Sequence, residues 1–251
     1  MRLLAAVVLA LQSPAARERA DLRTGLDTLY AGRFEAAARY FAGLAAADTM
    51  DPAPLIFEAG AYIWWAEALE DEQFERQRID SLLDAAIHRA RVGADTFWLA
   101  TAHGYRARQR ELHGNVLGAA RDAKAMRDRY RRVLAADSSR ADCYLGLGLY
   151  DYGLARVGAL ARFFARLIGL GSGDAERGIR YLRRAAQDGD LAQVEATWVL
   201  ASALVREAAR DRAGRAVLER EARGYVLRLA QRYPENPVFR RFLEEVPEPA
   251  P

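Results

Sequence analysis

The stretch Asp21–Asp48, DLRTGLDTLYAGRFEAAARYFAGLAAAD, divides at Gly32 into two runs whose apolar residues recur every three to four positions. That spacing belongs to amphipathic helices. Gly25 and Ala37 stand where paired helices would need close approach, and Tyr30, Phe34 and Phe41 are placed to fill the space between them. The segment predicts a helical hairpin.

The same pattern recurs along the chain. IFEAGAYIWWAEALEDEQFERQRIDSLLDAAIHRA, from Ile56, predicts a second pair, and the stretch from Asp95 to Asp137 a third, broken near Gly114. DLAQVEATWVLASALVREAARDRAGRAVLEREARGYVLRLAQRYPENP gives another pair, ended by Pro234 and Pro237. NPVFRRFLEE then reads as a short helix of the kind that solvates the open end of a stack. The eight prolines leave a gap from Pro54 to Pro234, which suits helices joined by short polar turns. A helical unit of roughly 35 to 45 residues is the mark of an α-solenoid.

Several of these segments resemble the tetratricopeptide repeat (TPR). GRFEAAARYF places Phe34, Ala37 and Phe41 at the aromatic, small and aromatic positions of that repeat's second helix. VLAADSSRADCYLGLG resembles its junction, with Tyr144, Leu147 and Gly148 at the large, Leu and Gly positions of the next first helix, and YPENP from Tyr233 resembles another junction. From about Asp95 to Leu204 the chain is similar to the inclusion-body clearance family, whose animal members are the tetratricopeptide-repeat domain 39 proteins. The residues carrying this are GNVLGAARDAKAMRDRYRRVLAAD, YLGLGLYDYG, GLGSGDAERGIRYLRRAAQDG and VEATWVLA. The resemblance implies an all-α, TPR-like solenoid, a right-handed superhelix of about five hairpins with a short C-terminal capping helix, and a scaffold role.

Composition and charge narrow the function. Basic residues nearly balance acidic ones, at +3, and are scattered among them, which argues against nucleic acid. The N-terminus MRLLAAVVLALQSPAA has an early Arg, an apolar run from Leu3 to Leu11 and small residues at Ser13 and Ala15. It predicts a signal peptide over residues 1–15, removed on export to the periplasm or medium, and a single helical-repeat domain over 16–251. Cys143 is the sole cysteine, so no intrachain disulfide can form.

No catalytic motif emerges, and neither an enzyme activity, a cofactor nor a small-molecule substrate is expected. Gly146, Gly148 and Gly153 do not match a dinucleotide fingerprint, and no GK[ST] follows Gly169, Gly171 and Gly173. These glycines read as close-packing positions on one helix and as the turn into the next. His103 and His113 would lie roughly 15 Å apart on one helix, too far to share an ion, and His88 has no nearby partner, so no metal site is expected.

The lead is aromatic. Trp64, Trp65, Trp98, Tyr144, Tyr150, Tyr152 and Trp198 fall on the first helices of the pairs, which line the concave face of tetratricopeptide solenoids. Rings in a groove would anchor a segment of an unidentified partner protein. Asp151 is expected to face that groove, whereas Glu58 and Glu195 are expected to pair with arginines. The alternative is a peripheral membrane or lipid-binding protein using the basic amphipathic segment 154–170. There Arg162 and Arg166 oppose a face carrying Phe163 and Phe164. Its arginines, each opposing insertion by roughly 2.5 to 3.5 kcal/mol, exclude a spanning helix.

Overall fold

The computed structural model describes residues 14–158 and 169–248, with side chains from residue 18 onward. Among the described residues there are eleven helices and no strand. They fall into five successive pairs: α1 (Pro14–Tyr30) with α2 (Phe34–Ala47), α3 (Ala53–Leu69) with α4 (Arg76–Val92), and α5 (Thr96–Leu112) with α6 (Val116–Ala136). There follow α7 (Cys143–Arg156) with α8 (Ala175–Asp188), α9 (Gln193–Ala208) with α10 (Arg215–Arg232), and a short α11 (Pro237–Glu245).

Local chemistry sets the boundaries. Side chains of Asp95, Asn115, Asp174 and Asn236 accept hydrogen bonds from the backbone N–H groups of Trp98, Gly118, Arg177 and Val238, at 2.9 to 3.0 Å, and so start α5, α6, α8 and α11. Gly173 enters α8 with φ +66°, and a Cβ there would meet the Ala155 nitrogen at 2.5 Å, so only glycine fits that turn. Within the same pair Gly148 and Gly178 bring α7 and α8 together, since a Cβ on Gly148 would lie 2.9 Å from the Gly178 carbonyl oxygen. The expected close-packing role of Gly148 is thus met by backbone contact.

Each helix packs mainly on its neighbours in sequence, and the first helices also touch one another, α1 with α3, α3 with α5 and α5 with α7. α3 shows why. Its sequence APLIFEAGAYIWWAEAL is apolar on every side, and residues 53–64 are all buried. A helix hydrophobic all round must be enclosed. The first helices therefore surround a common interior, to which Tyr30, Trp64, Leu200, Leu204 and Phe239 all contribute.

Among the described residues the first helix meets the last ones. Arg19 and Arg23 on α1 ion-pair with Asp190 in the turn before α9. Asp27 on α1 accepts from Tyr233 Oη at 2.7 Å and from Arg232 Nη2 at 3.2 Å, and Asn236 Nδ2 donates to the Tyr30 carbonyl at 2.9 Å. α11, the short capping helix expected from NPVFRRFLEE, packs on α10 and keeps Arg240, Glu244 and Glu245 exposed, but its apolar face also reaches α3 and α9. Val238, Phe239 and Phe242 are buried, and at the C-terminal end of α3 Arg241 donates to the Glu67 carbonyl at 2.7 Å and pairs with Glu70 at 3.0 Å. The physical reason lies in its pattern: three large apolar residues in nine need more cover than one neighbouring helix provides.

Candidate partner-binding site

Of the first-helix aromatics, the fold brings Trp64 and Trp198 together, with ring centroids 6.0 Å apart. Trp64 also meets Tyr30 edge-on at 5.5 Å and is only 5% exposed, whereas Trp198 stays half-buried. The chain itself covers this pair. Phe239 lies 5.8 Å from both indoles, and Phe242 lies 5.3 Å from Trp198. Sequence reasoning missed Phe239 and Phe242 as part of this surface; the available signal was the spacing of three apolar residues in a helix too short to be an ordinary repeat arm.

The other aromatics are placed separately. Trp65, half-buried, stacks on Tyr62 at 6.4 Å and contacts Phe74 at 4.9 Å, while Trp98, also half-buried, lies against Phe57 and Phe97. Tyr144 packs on Tyr181 and carries Arg184 over its ring at 4.3 Å. Tyr150 and Tyr152 are buried and act as anchors. The Tyr150 hydroxyl donates to the Leu170 carbonyl at 2.6 Å and accepts from Arg127 at 2.7 Å; the Tyr152 hydroxyl donates to Glu207 at 3.0 Å.

The acids behave unevenly. Glu58 pairs with Arg78 at 3.3 Å, as the sequence suggested. Asp151 does not face a groove: it is 5% exposed and takes two hydrogen bonds from Arg177 on α8, at 2.7 and 2.8 Å, because a carboxylate in this apolar setting needs a bidentate partner. Glu195 has no arginine at hydrogen-bonding distance among the described residues; the hydroxyl of Tyr105, on α5, donates to it. Burial pushes the Glu195 carboxyl up, and the Tyr105 bond and the Arg108 charge only partly offset this. The link ties α5 to α9 across the interior.

A second polar cluster sits between α5 and α6. His103, 4% exposed, has Nδ1 2.7 Å from Asp122 Oδ1, while Arg106 and Arg110 donate to the same carboxylate at 2.7 to 2.9 Å. Burial pushes the Asp122 carboxyl up, but the His103 and Arg106 bonds and the two arginine charges outweigh it and hold it at about 2. Ionised Asp122 therefore selects the His103 tautomer that carries its proton on Nδ1. Nε2 is buried without a partner. Beside the cluster a cleft of about 180 Å³ is lined by Arg76, Asp80, Asp84, Arg110, His113 and Asn115. Its arginines and aspartates offset one another, and Arg106 is already engaged with Asp84 and Asp122, so the cleft offers no net charge to a ligand.

Among the described residues no group of three or more His, Cys, Asp or Glu side chains is arranged to hold a metal ion. Burial pushes the Cys143 thiol up to about 12, so it is not a thiolate at neutral pH. No helix among the described residues is long and apolar enough to cross a membrane. Arg162, Phe163, Phe164 and Arg166, the proposed lipid contacts, lie outside the described residues, as do residues 1–13 of the expected signal peptide. Comparison with known proteins found no matching family model, no similar curated protein and no similar solved structure.

Proposed function

We propose that the chain is a TPR-like helical-repeat protein acting as a non-catalytic interaction scaffold. It takes a segment of a partner protein on the concave side formed by its first helices. What supports the reading is the convergence of those helices, from successive pairs, on one aromatic interior in which Trp64 and Trp198 meet. Aromatic rings on a rigid framework supply contact area at low entropic cost, which is what a binding face for a peptide segment requires. The C-terminal helix takes part in that face as well as packing on α10.

Export belongs to the same proposal: residues 1–15 would be removed, and N-terminal sequencing of the mature chain is expected to begin at Ala16. The binding face is tested with Trp198→Ala and Trp98→Ala, two half-buried rings on different first helices. Affinity capture by the full chain is compared with capture by each variant after circular dichroism has shown both to be folded. A partner lost with either substitution supports the concave placement, and one retained by both rejects it.

A further inference from the structure

A capping helix in a repeat array touches the unit before it. α11 packs on α10, whose Arg223 donates to the Leu243 and Val246 carbonyls at 2.7 Å, and it reaches two further pairs as well: Asn236, its N-cap, bonds Tyr30 on α1, Phe239 and Arg241 engage Trp64, Glu67 and Glu70 on α3, and Phe239 with Phe242 covers Trp198 on α9. Its length is nine residues, too short to be a stable helix by itself, whereas α3, α9 and α10, which form its seat, have 17, 16 and 18. Seat and occupant thus differ in autonomy: the seat is framework, and the occupant is a helix that exists because it is docked.

We infer that α11 is an occupant that the chain supplies to its own binding face, and that the partner displaces it with a short amphipathic helix of the same pattern. That pattern is an aromatic residue, a basic residue two positions on and a second aromatic residue one position further, as in Phe239, Arg241 and Phe242. The two rings fill the space around Trp64 and Trp198, and the basic residue meets Glu70 and the C-terminal carbonyls of α3. This rests on the concave-face reading above and adds to it the partner's chemistry and the competition. Because one seat serves both helices, the apparent affinity for the partner is lowered by the fraction of time α11 is docked.

The probe is a fluorescein-labelled peptide with the sequence of residues 234–247, titrated into the full chain and followed by anisotropy. Two substitutions loosen α11 while leaving the seat intact: Arg241→Glu, which sets like charges against Glu67 and Glu70, and Phe242→Ala, which removes one ring from Trp198. The double variant is expected to bind the peptide at least tenfold more tightly than the unaltered chain, and a peptide with both phenylalanines replaced by alanine is expected not to bind. A folded double variant that binds no better than the unaltered chain overturns the inference. Hydrogen exchange on the unaltered chain supplies a second reading that needs no variant: α11 amides should exchange at least 100-fold faster than those of α3. Equal rates would mean that α11 opens only with the whole fold and would overturn displacement. Should both measurements fail while Trp198→Ala still abolishes partner capture, the concave face stands and the role of α11 in covering it falls.

Discussion

Replacing Asp122 with Asn keeps the shape of the side chain and removes the charge on which His103, Arg106 and Arg110 converge. A carboxyl held at about 2 against an ordinary 3.8 carries on the order of 2 to 3 kcal/mol of stability at about 1.4 kcal/mol per pKa unit. Arg106, with only 15% of its side chain exposed, would also lose part of its pairing, so a total near 3 kcal/mol is expected at pH 7. The sign follows from the direction of the shift. A depressed folded-state pKa stabilises the protein above the unfolded value, and the benefit is lost as pH falls from about 4 through about 2. Urea unfolding followed by tryptophan fluorescence, run on both proteins at pH 7, 5, 4 and 3, should show a gap constant down to about pH 5 and smaller by about 1 kcal/mol at pH 3. A gap below about 1 kcal/mol at pH 7, or one that does not change on acidification, would refute the assignment of Asp122 as an ionised centre of the cluster.

Glu195→Gln works in the opposite direction. Burial raises the Glu195 carboxyl, so its ionised form opposes folding at neutral pH; the Gln variant, still accepting from Tyr105, should melt higher at pH 7, and its advantage should close as pH falls below the raised value. Thermal scans at pH 7 and pH 4 check this. Gly148→Ala would place a Cβ 2.8 Å from Leu182 Cγ and 2.9 Å from a backbone oxygen, and prising α7 from α8 should cost about 1 to 3 kcal/mol in a urea titration. Cys143 is fully buried with its thiol pushed up to about 12, so alkylation at pH 8 should proceed at the rate of unfolding and accelerate in urea; rapid labelling of the native chain would contradict its burial.

The helical pairs were legible because apolar spacing, small residues at crossings and polar turns are local properties of a sequence; α2 to α6, α9 and α10 fall where those signals place them, whereas α1 begins at Pro14, inside the stretch expected as leader, and α7 ends at Arg156, inside the segment 154–170 read as one helix. Glu58 was legible too, since its arginine lies only 20 residues away on the next helix. Asp151 was not. In a chain with so many arginines, nothing in the sequence marks Arg177 as the one that reaches it, and an acid between two tyrosines reads equally well as exposed. The covering of Trp64 and Trp198 was hidden for a stronger reason: it depends on meetings across great sequence distance, as between Arg241 and Glu67, 174 residues apart, and between Tyr105 and Glu195, 90 apart. Residue spacing carries no information about how closely first helices from distant pairs approach one another.

The meeting of α1 with the junction of α10 and α11 has an evolutionary consequence. Open repeat arrays lengthen readily by duplication, because each unit answers only to its neighbours and the ends are free to move apart. Here an inserted pair would carry Tyr233 and Asn236 away from Asp27 and Tyr30 by about the 8 to 10 Å that separates packed helices, and would break those hydrogen bonds outright. A lineage that keeps this closure is therefore bound to its number of pairs, and its members should differ in the lengths of their turns while the count of helices stays the same.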